Sequence, residues 1–188
     1  AGGVPVEGFD AAFRLKIGGS PQPADGFSFS WGTNVVNEPA GEEGSGDNLI
    51  VAIDTWDNGG PEAPAVEVRW GATVVARTLL PLTELETGND WSPARLRLDP
   101  AGRLDFSVGT NVYFSGLSVP QYTPLAGARF GIGARTGGAV DNHWIDDLSI
   151  LPRFTPLGIT RIVRLPDGTL EMSMQGTPNR YYALETST

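Results

Sequence analysis

The chain has 188 residues, including 25 Gly and 15 Pro, with 40% hydrophobic residues, 19% charged residues and a net charge of −9. It has enough apolar side chains for one sizeable core, but more Gly and Pro than a helical bundle tolerates. The cationic residues are scattered, which argues against nucleic acid as a partner, and no apolar run is long enough for membrane insertion. The absence of Cys excludes disulfides, thiolate zinc sites and cysteine nucleophiles.

Alternation of apolar and polar residues predicts strands along most of the chain. In residues 9–17 Phe, Ala, Phe, Leu and Ile fall on one face, and in residues 27–31 Phe and Trp alternate with Ser. Further strands are predicted at 49–56, 66–70, 73–80, 94–98, 103–108, 130–135 and 144–150. No long segment has the spacing of an amphipathic helix. We therefore predict an all-β jelly-roll sandwich of two antiparallel sheets.

The hydrophobic pattern changes after residue 152. A hairpin with its turn at 166–168 is predicted, followed by a third strand within 177–187. We assign 1–152 to the sandwich, 153–157 to a linker and 158–188 to a C-terminal β extension. Three strands are marginal as an independent domain, so the extension is either the start of a second β domain or a set of strands docked on the first.

Three segments together resemble the concanavalin A-like superfamily, in particular the L-type (legume-type) lectin domains of bacterial multidomain secreted proteins. They are PADGFSFSWG at 23–32, LIVAIDTWDNGG at 49–60 and RFGIGARTGGAVDNHWIDDLSI at 129–150. The resemblance covers about 9–151. It implies a non-catalytic carbohydrate-binding module in an extracellular or cell-surface bacterial protein, with a glycan or polysaccharide as partner. Members usually have an additional strand before the equivalent of 9–17, which could be missing here.

The resemblance also implies a set of sugar-binding residues. In these lectins the Asp of an Ala-Asp-Gly triplet follows a non-proline cis peptide bond and accepts hydrogen bonds from two sugar hydroxyls; here that residue is Asp25. An Asn side chain and backbone amides of a Gly-rich loop donate to the same sugar. The implied residues are Asp25, Gly44, Gly46 and Asn58, with Asp141 and Asn142 as secondary candidates.

A calcium ion orders the sugar site in the lectin pattern, so Ca²⁺ is the implied cofactor. The implied ligands are Asp54, the carbonyl of Trp56, Asn58 and Glu62. Ca²⁺ takes six to eight oxygen ligands, which an acidic, Gly-rich loop can supply. The spacing from Asp54 to Glu62 is one residue shorter than in the family, so Asp57 is the alternative ligand.

A second, transition-metal ion of the legume lectins is not expected here. Its Glu and His ligands fall at Ala52 and near Ala65. Each remaining candidate also has an ordinary structural interpretation. Asp54 could accept backbone N–H groups at a strand end, and Asp25 and residues 57–60 suit plain turns. The single His143 is interpreted as structural.

Two other functions are compatible with a fold of this kind. Glucanases of the superfamily carry a Glu-x-Asp-x-x-Glu motif, which this sequence lacks, and Asp146 and Asp147 are adjacent on a predicted strand and so expected on opposite faces. We therefore predict that the chain is not an enzyme. The alternative is a structural or adhesive β module, or a filament subunit, that assembles through sheet edges without binding sugar.

Overall fold

The computed structural model describes residues 5–154 and 158–176. Its strands, in chain order, are β1 (Pro5–Val6), β2 (Gly8–Gly18), β3 (Gly26–Gly32), β4 (Leu49–Asp54), β5 (Ala65–Trp70), β6 (Thr73–Leu79), β7 (Ser92–Leu98), β8 (Arg103–Val108), β9 (Asn111–Ser118), β10 (Leu125–Ala126), β11 (Arg129–Arg135), β12 (Asn142–Arg153), β13 (Gly158–Arg164) and β14 (Leu170–Gln175). The helix α1 (Leu82–Leu85) is one turn long. The predicted all-β class is confirmed.

Two five-stranded antiparallel sheets form the body of the chain. The first sheet has the order β11-β3-β4-β5-β6, and the second has the order β12-β2-β7-β8-β9. Phe27 and Phe29 of the first sheet pack against Phe9 and Phe13 of the second, with ring centroids 5.8 to 6.3 Å apart for the three contacting pairs. The core therefore lies between the sheets, where the alternation of the sequence placed the apolar side chains.

The loop between β3 and β4 covers the outer face of the first sheet, the face that points away from the core. Ser28 Oγ donates to the carbonyl of Gly41 at 2.7 Å, and the Ser45 amide donates to Ser30 Oγ at 3.0 Å. This cover explains why Ser28 and Ser30 are fully buried although they face away from the core. It also brings residue 42 over the first residue of β3.

Some elements differ from the sequence-based predictions. Strand β9 was not predicted, because Gly116 has a φ of 62° and interrupts the alternation. The short strands β1 and β10 pair with each other, so a strand does precede β2. Strand β2 lies between β12 and β7 and therefore has no open edge.

The prediction that Asp146 and Asp147 point to opposite faces is wrong. The register between β12 and β2 shifts between Asp146 and Ser149, and Asp147 has a φ of 53°. Because this bulge breaks the alternation, Asp146 lies opposite Arg14 and Asp147 Oδ2 also approaches Arg14 Nη1, at 3.7 Å.

The predicted C-terminal hairpin is present as β13 and β14. Its strands pair from Gly158 with Gln175 to Arg164 with Leu170, and the Leu165 amide donates to the Thr169 carbonyl at 2.8 Å across the turn. The predicted third strand at 177–187 lies outside the described residues, and the domain boundaries stay a prediction. No helix in the described ranges has the length and apolar character needed to cross a membrane.

Candidate functional site

Asp25 and Asp54 lie side by side at one end of the ladder between β3 and β4. Asp25 immediately precedes β3, whose first residue, Gly26, pairs with Asp54. The Thr55 amide donates to the carbonyl of Asp25 at 2.9 Å. The peptide bond between Ala24 and Asp25 is cis, as the resemblance implies. Antiparallel pairing of β3 with β4 therefore places Asp25, which precedes β3, at the same end of the sheet as Asp54, which ends β4.

Arg135, the last residue of β11, holds the carboxylate of Asp25. Its Nε donates to Asp25 Oδ2 at 2.9 Å, and its Nη2 donates to Glu42 Oε1 at 2.5 Å. The hydrogen bond to Asp25 and the charge of Glu42 raise the pKa of Arg135. The side chains of Asp25 and Glu42 are only 14% and 5% exposed. One guanidinium therefore forms ion pairs with two carboxylates, one half-buried and one buried, so the three side chains together keep one net negative charge.

A cleft of about 210 Å³ opens on the outer face of the first sheet, next to Glu42. We call it the acidic cleft. Its carboxylates are Glu42, Glu43, Asp54, Glu62 and Glu67. Two arginines, Arg69 and Arg77, also line it and form ion pairs with Glu43 and Glu67. Among the described residues, Asp54 and Glu62 have no ion pair, so the negative charge is concentrated on their side of the cleft.

The environment of Asp54 opposes its negative charge. Burial raises the pKa of Asp54 to about 6, and the charges of Glu42, Glu43 and Glu62 act in the same direction. The Trp56 amide, which donates to Asp54 Oδ1 at 3.0 Å, counteracts only part of this effect. A half-buried carboxylate among other carboxylates is stabilised either by a proton or by a bound cation.

The donors around Asp54 fit a hard cation chemically but are not gathered for one. All are oxygen donors, the type that Ca²⁺ prefers. Yet no three Asp, Glu or His side chains within 5–154 and 158–176 are close enough to hold a metal ion. Asp57 Oδ1 accepts a hydrogen bond from the Gly59 amide at 2.7 Å, while Asn58 is exposed. A cation here would need carbonyl or amide oxygens from residues 55–62 as further ligands.

Gly44 and Gly46, the glycines expected to donate to sugar, lie farther along the covering loop than the residues that contact Arg135. The Gly44 amide donates to the carbonyl of Gly41 at 3.0 Å, and Gly44 sits against Ser30 and Ile50. Ser30 is four residues along β3 from Gly26, which corresponds to about 13 Å. Gly46 packs against Val35. The loop residues that reach Arg135 are instead Gly41 and Glu42.

The two secondary candidates, Asp141 and Asn142, are joined by a hydrogen bond from the Asn142 amide to Asp141 Oδ1 at 2.8 Å. The Asn142 side chain donates to the carbonyl of Gly18 at 3.0 Å, which ties the end of β12 to β2. Asp141 lines a shallow hollow beside Arg135, His143 and Trp144. Burial lowers the pKa of His143, which agrees with its interpretation as a structural residue.

The sequence analysis did not identify Arg135 or Glu42 as residues of the candidate site. Arg135 follows an alternating segment and looked like an ordinary outward-facing strand residue. Glu42 is one of two adjacent glutamates in a Gly-rich loop, and no feature of the sequence distinguishes the buried one from the exposed one. Both assignments depend on how the loop lies across the sheet.

Solved structures of lectin domains are similar to this chain. The VIP36 exoplasmic/lumenal domain in its Ca²⁺/Man3GlcNAc-bound form is 18% identical, with a TM-score of 0.57 over 92% of this chain and 80% of that chain. The Emp47p carbohydrate recognition domain is 18% identical, with a TM-score of 0.57 over 80% and 74% of the two chains. Winged bean acidic lectin, complexed with methyl-α-D-galactose, is 22% identical, with a TM-score of 0.57 over 77% and 70%.

These similarities show the fold, a concanavalin A-like jelly roll of the legume-lectin type. The predicted fold is thereby confirmed. No protein-family model matches the sequence. No curated protein matches it either.

Proposed function

We propose that this chain is a non-catalytic, calcium-dependent carbohydrate-binding module of an extracellular or cell-surface bacterial protein. The observation that supports it best is that Asp25 and Asp54 lie at the same end of the β3–β4 ladder, in a lectin-type fold with an acidic cleft and an exposed loop at that end. Two of the similar structures hold sugars, Man3GlcNAc with Ca²⁺ in one and methyl-α-D-galactose in the other. The exoplasmic/lumenal location of the first agrees with an extracellular role.

In this proposal the sugar binds through hydroxyl groups at Asp25. Asp25 Oδ1 accepts a hydrogen bond from one sugar hydroxyl. Asp25 Oδ2, which already accepts a hydrogen bond from Arg135, accepts another from a second hydroxyl. The Asn58 amide donates to the same sugar. Trp56, 37% exposed on the same loop, offers an aromatic face for stacking. Asp141 closes one side, whereas Gly44, Gly46 and Asn142 are more distant or already bonded candidates.

The calcium ion would be held by Asp54, the carbonyl of Trp56, Asn58 and either Glu62 or Asp57. It would neutralise the carboxylates of the cleft and hold the loop 55–62 in one conformation. No transition-metal ion is included, because Ala52 and Ala65 offer no side-chain ligand. Affinity for one sugar should be weak, about 10 µM to 1 mM, since a solvated sugar offers few apolar atoms to bury.

A glycan array followed by calorimetry, with calcium and with a chelator, tests the proposal. We expect Asp25→Asn to weaken binding at least tenfold, because the amide removes a charged acceptor and faces the guanidinium of Arg135 with an N–H group. The matched control is Asp47→Asn, which removes the same charge from an exposed carboxylate. Absence of binding to any glycan in calcium would contradict the proposal.

A second candidate is a structural or adhesive module that assembles through its own surfaces. The edge strands β6, β9, β11 and β12 each have one unpaired side within the described sheets. The hairpin also exposes apolar side chains, at Ile159, Ile162, Leu170 and Met174. Light scattering of the purified chain decides this point. Growth of mass with concentration supports assembly, and a constant monomer mass argues against it.

A further inference from the structure

Two tryptophans share the outer face of the second sheet, the face that points away from the core. Lys16 of β2 alternates with the fully buried Leu15 and Ile17, so its side chain points outward. Trp144 of β12 is the cross-strand partner of Lys16 and therefore points to the same face. Trp91 immediately precedes β7, on the other side of β2. The two tryptophans thus lie on either side of β2.

Each tryptophan ring is in contact with a cation from β2. Lys16 Nζ lies 4.6 Å from the ring centroid of Trp144, and the guanidinium carbon of Arg14 lies 5.4 Å from that of Trp91. Because β2 separates β12 from β7, those two strands are about 10 Å apart. The two ring centroids are nevertheless only 6.3 Å apart, so the rings lean toward each other over β2. We call Arg14, Lys16, Trp91 and Trp144 the tryptophan platform.

The platform is open to solvent. Trp144 is 51% exposed, and the Arg14 side chain is 47% exposed. Farther along the same face the side chains are charged, as in the ion pair between Asp10 and Arg95. An exposed apolar patch with a polar rim is typical of an interaction surface. A flat aromatic ring can pack against the C–H face of a pyranose, so a sugar polymer fits this patch.

The charge of the platform favours an acidic sugar. The whole chain has a net charge of −9, yet Lys16 contacts Trp144 and has no ion pair among the described residues. The ion-pair contact of Arg14, with Asp147, is long at 3.7 Å. An ammonium group has three donors, so Lys16 can donate to a ligand carboxylate while it stays against the ring. A neutral sugar would stack on the ring but would leave this charge unpaired.

We propose that the tryptophan platform is a second glycan-binding site, which takes an acidic polysaccharide such as a polyuronate. One pyranose ring stacks on Trp144 and its carboxylate pairs with Lys16, while a neighbouring sugar of the polymer reaches Trp91 and Arg14. The site needs no metal ion and lies on the opposite side of the sandwich from the acidic cleft. Trp144 also lines the hollow beside Arg135, whereas the other three members of the platform do not.

Calorimetry with polygalacturonate, on the full chain at low salt with a chelator, tests this inference. We expect Trp144→Ala to weaken binding about tenfold, because the stacking surface is lost. Trp144→Phe keeps an aromatic ring and should weaken it less. Lys16→Gln should weaken binding about threefold, and added salt should weaken it further in the wild type. The matched control Arg129→Gln removes an exposed cation from the first sheet and should change affinity less than twofold.

Several outcomes overturn the inference. One is a wild-type chain that does not bind polygalacturonate, or that binds a neutral β-glucan equally well. Equal losses in Lys16→Gln and Arg129→Gln indicate only a general effect of charge, and binding that the chelator abolishes belongs to a metal-dependent site. Circular dichroism checks that each variant folds. Should Trp144→Ala fail to fold, Lys16→Gln decides, and unchanged affinity in that variant contradicts the site.

The same samples separate this inference from the proposed function. Binding of polygalacturonate in chelator, in a chain that binds no other glycan in calcium, supports the platform and contradicts only the calcium-dependent site. Calcium-dependent binding of a neutral glycan, without binding of polygalacturonate, contradicts only the platform.

Discussion

At the scale of single residues, the candidate site is built from acids that lie around Gly26 but belong to different segments of the chain. Asp25 and Glu42 share one guanidinium, that of Arg135, whereas Asp54 has no cationic partner among the described residues. Gly26 makes this approach possible. Its φ of 149° is rare for other residues, and a Cβ there would collide with the carbonyl of Ile53.

The raised pKa of Asp54, about 6, predicts an unusual pH dependence when a chelator is present. Between its ordinary value of 3.8 and 6, the folded state binds a proton at Asp54 more tightly than the unfolded state does. The free energy of unfolding should therefore fall as the pH rises through this range. Urea unfolding at several pH values measures it. Asp54→Asn should flatten this part of the curve, whereas Asp47→Asn should not; an identical curve for Asp54→Asn would contradict the assignment.

At the scale of elements, cross-strand ion pairs join neighbouring strands on the outer face of the second sheet. Arg95 of β7 donates to both oxygens of Asp10 in β2, from Nε at 2.9 Å and from Nη2 at 2.6 Å. These hydrogen bonds lower the pKa of Asp10. The stabilisation should therefore be complete above pH 3.8 and be lost as the pH falls below that value toward the lower pKa of the folded state.

A double-mutant cycle with Asp10→Asn and Arg95→Gln measures this pair. Because Arg95 is largely exposed, we expect a small coupling free energy at neutral pH, as is typical of surface ion pairs, and no coupling in acid. Coupling that persists unchanged at pH 2 would contradict the electrostatic explanation.

At the scale of the whole molecule, the two sheets are joined by a shared aromatic core. Phe9 of the second sheet contacts Phe29, Trp31 and Phe130, with ring centroids 5.1 to 5.8 Å apart. Phe9→Ala should reduce the free energy of unfolding by about 3 to 5 kcal/mol, because it leaves a cavity between the sheets. Val112→Ala, at a side chain 67% exposed, should cost less than about 0.5 kcal/mol.

Chemical unfolding followed by tryptophan fluorescence and by circular dichroism checks this prediction. Both probes should report one transition for the sandwich, in the wild type and in Phe9→Ala, because neither sheet has a core of its own. Two separate transitions assigned to the two sheets would contradict it. No described residue of the β13–β14 hairpin belongs to the core between the sheets, so the prediction applies to the sandwich alone.

The sequence by itself determined the class of fold and most strand positions. Alternation at 9–17 and 27–31 is a local property, and it specifies which side chains face a core whatever the partner strand is. The cis peptide bond before Asp25 was also implied by the resemblance. Strand β9 and the bulge at Asp147 were missed because a positive φ interrupts the alternation at each.

Only the tertiary structure decided which polar residues face one another. The covering loop buries Glu42 and leaves Glu43 exposed. Strand β11 brings Arg135 to Asp25, although the two residues are 110 positions apart in the sequence. Gly44 and Gly46, for which the resemblance implies a role in sugar binding, lie against Ser30 and Val35. These outcomes depend on the path of a loop across a sheet, which is set by packing and hydrogen bonds between distant segments and leaves no periodic signal in the sequence.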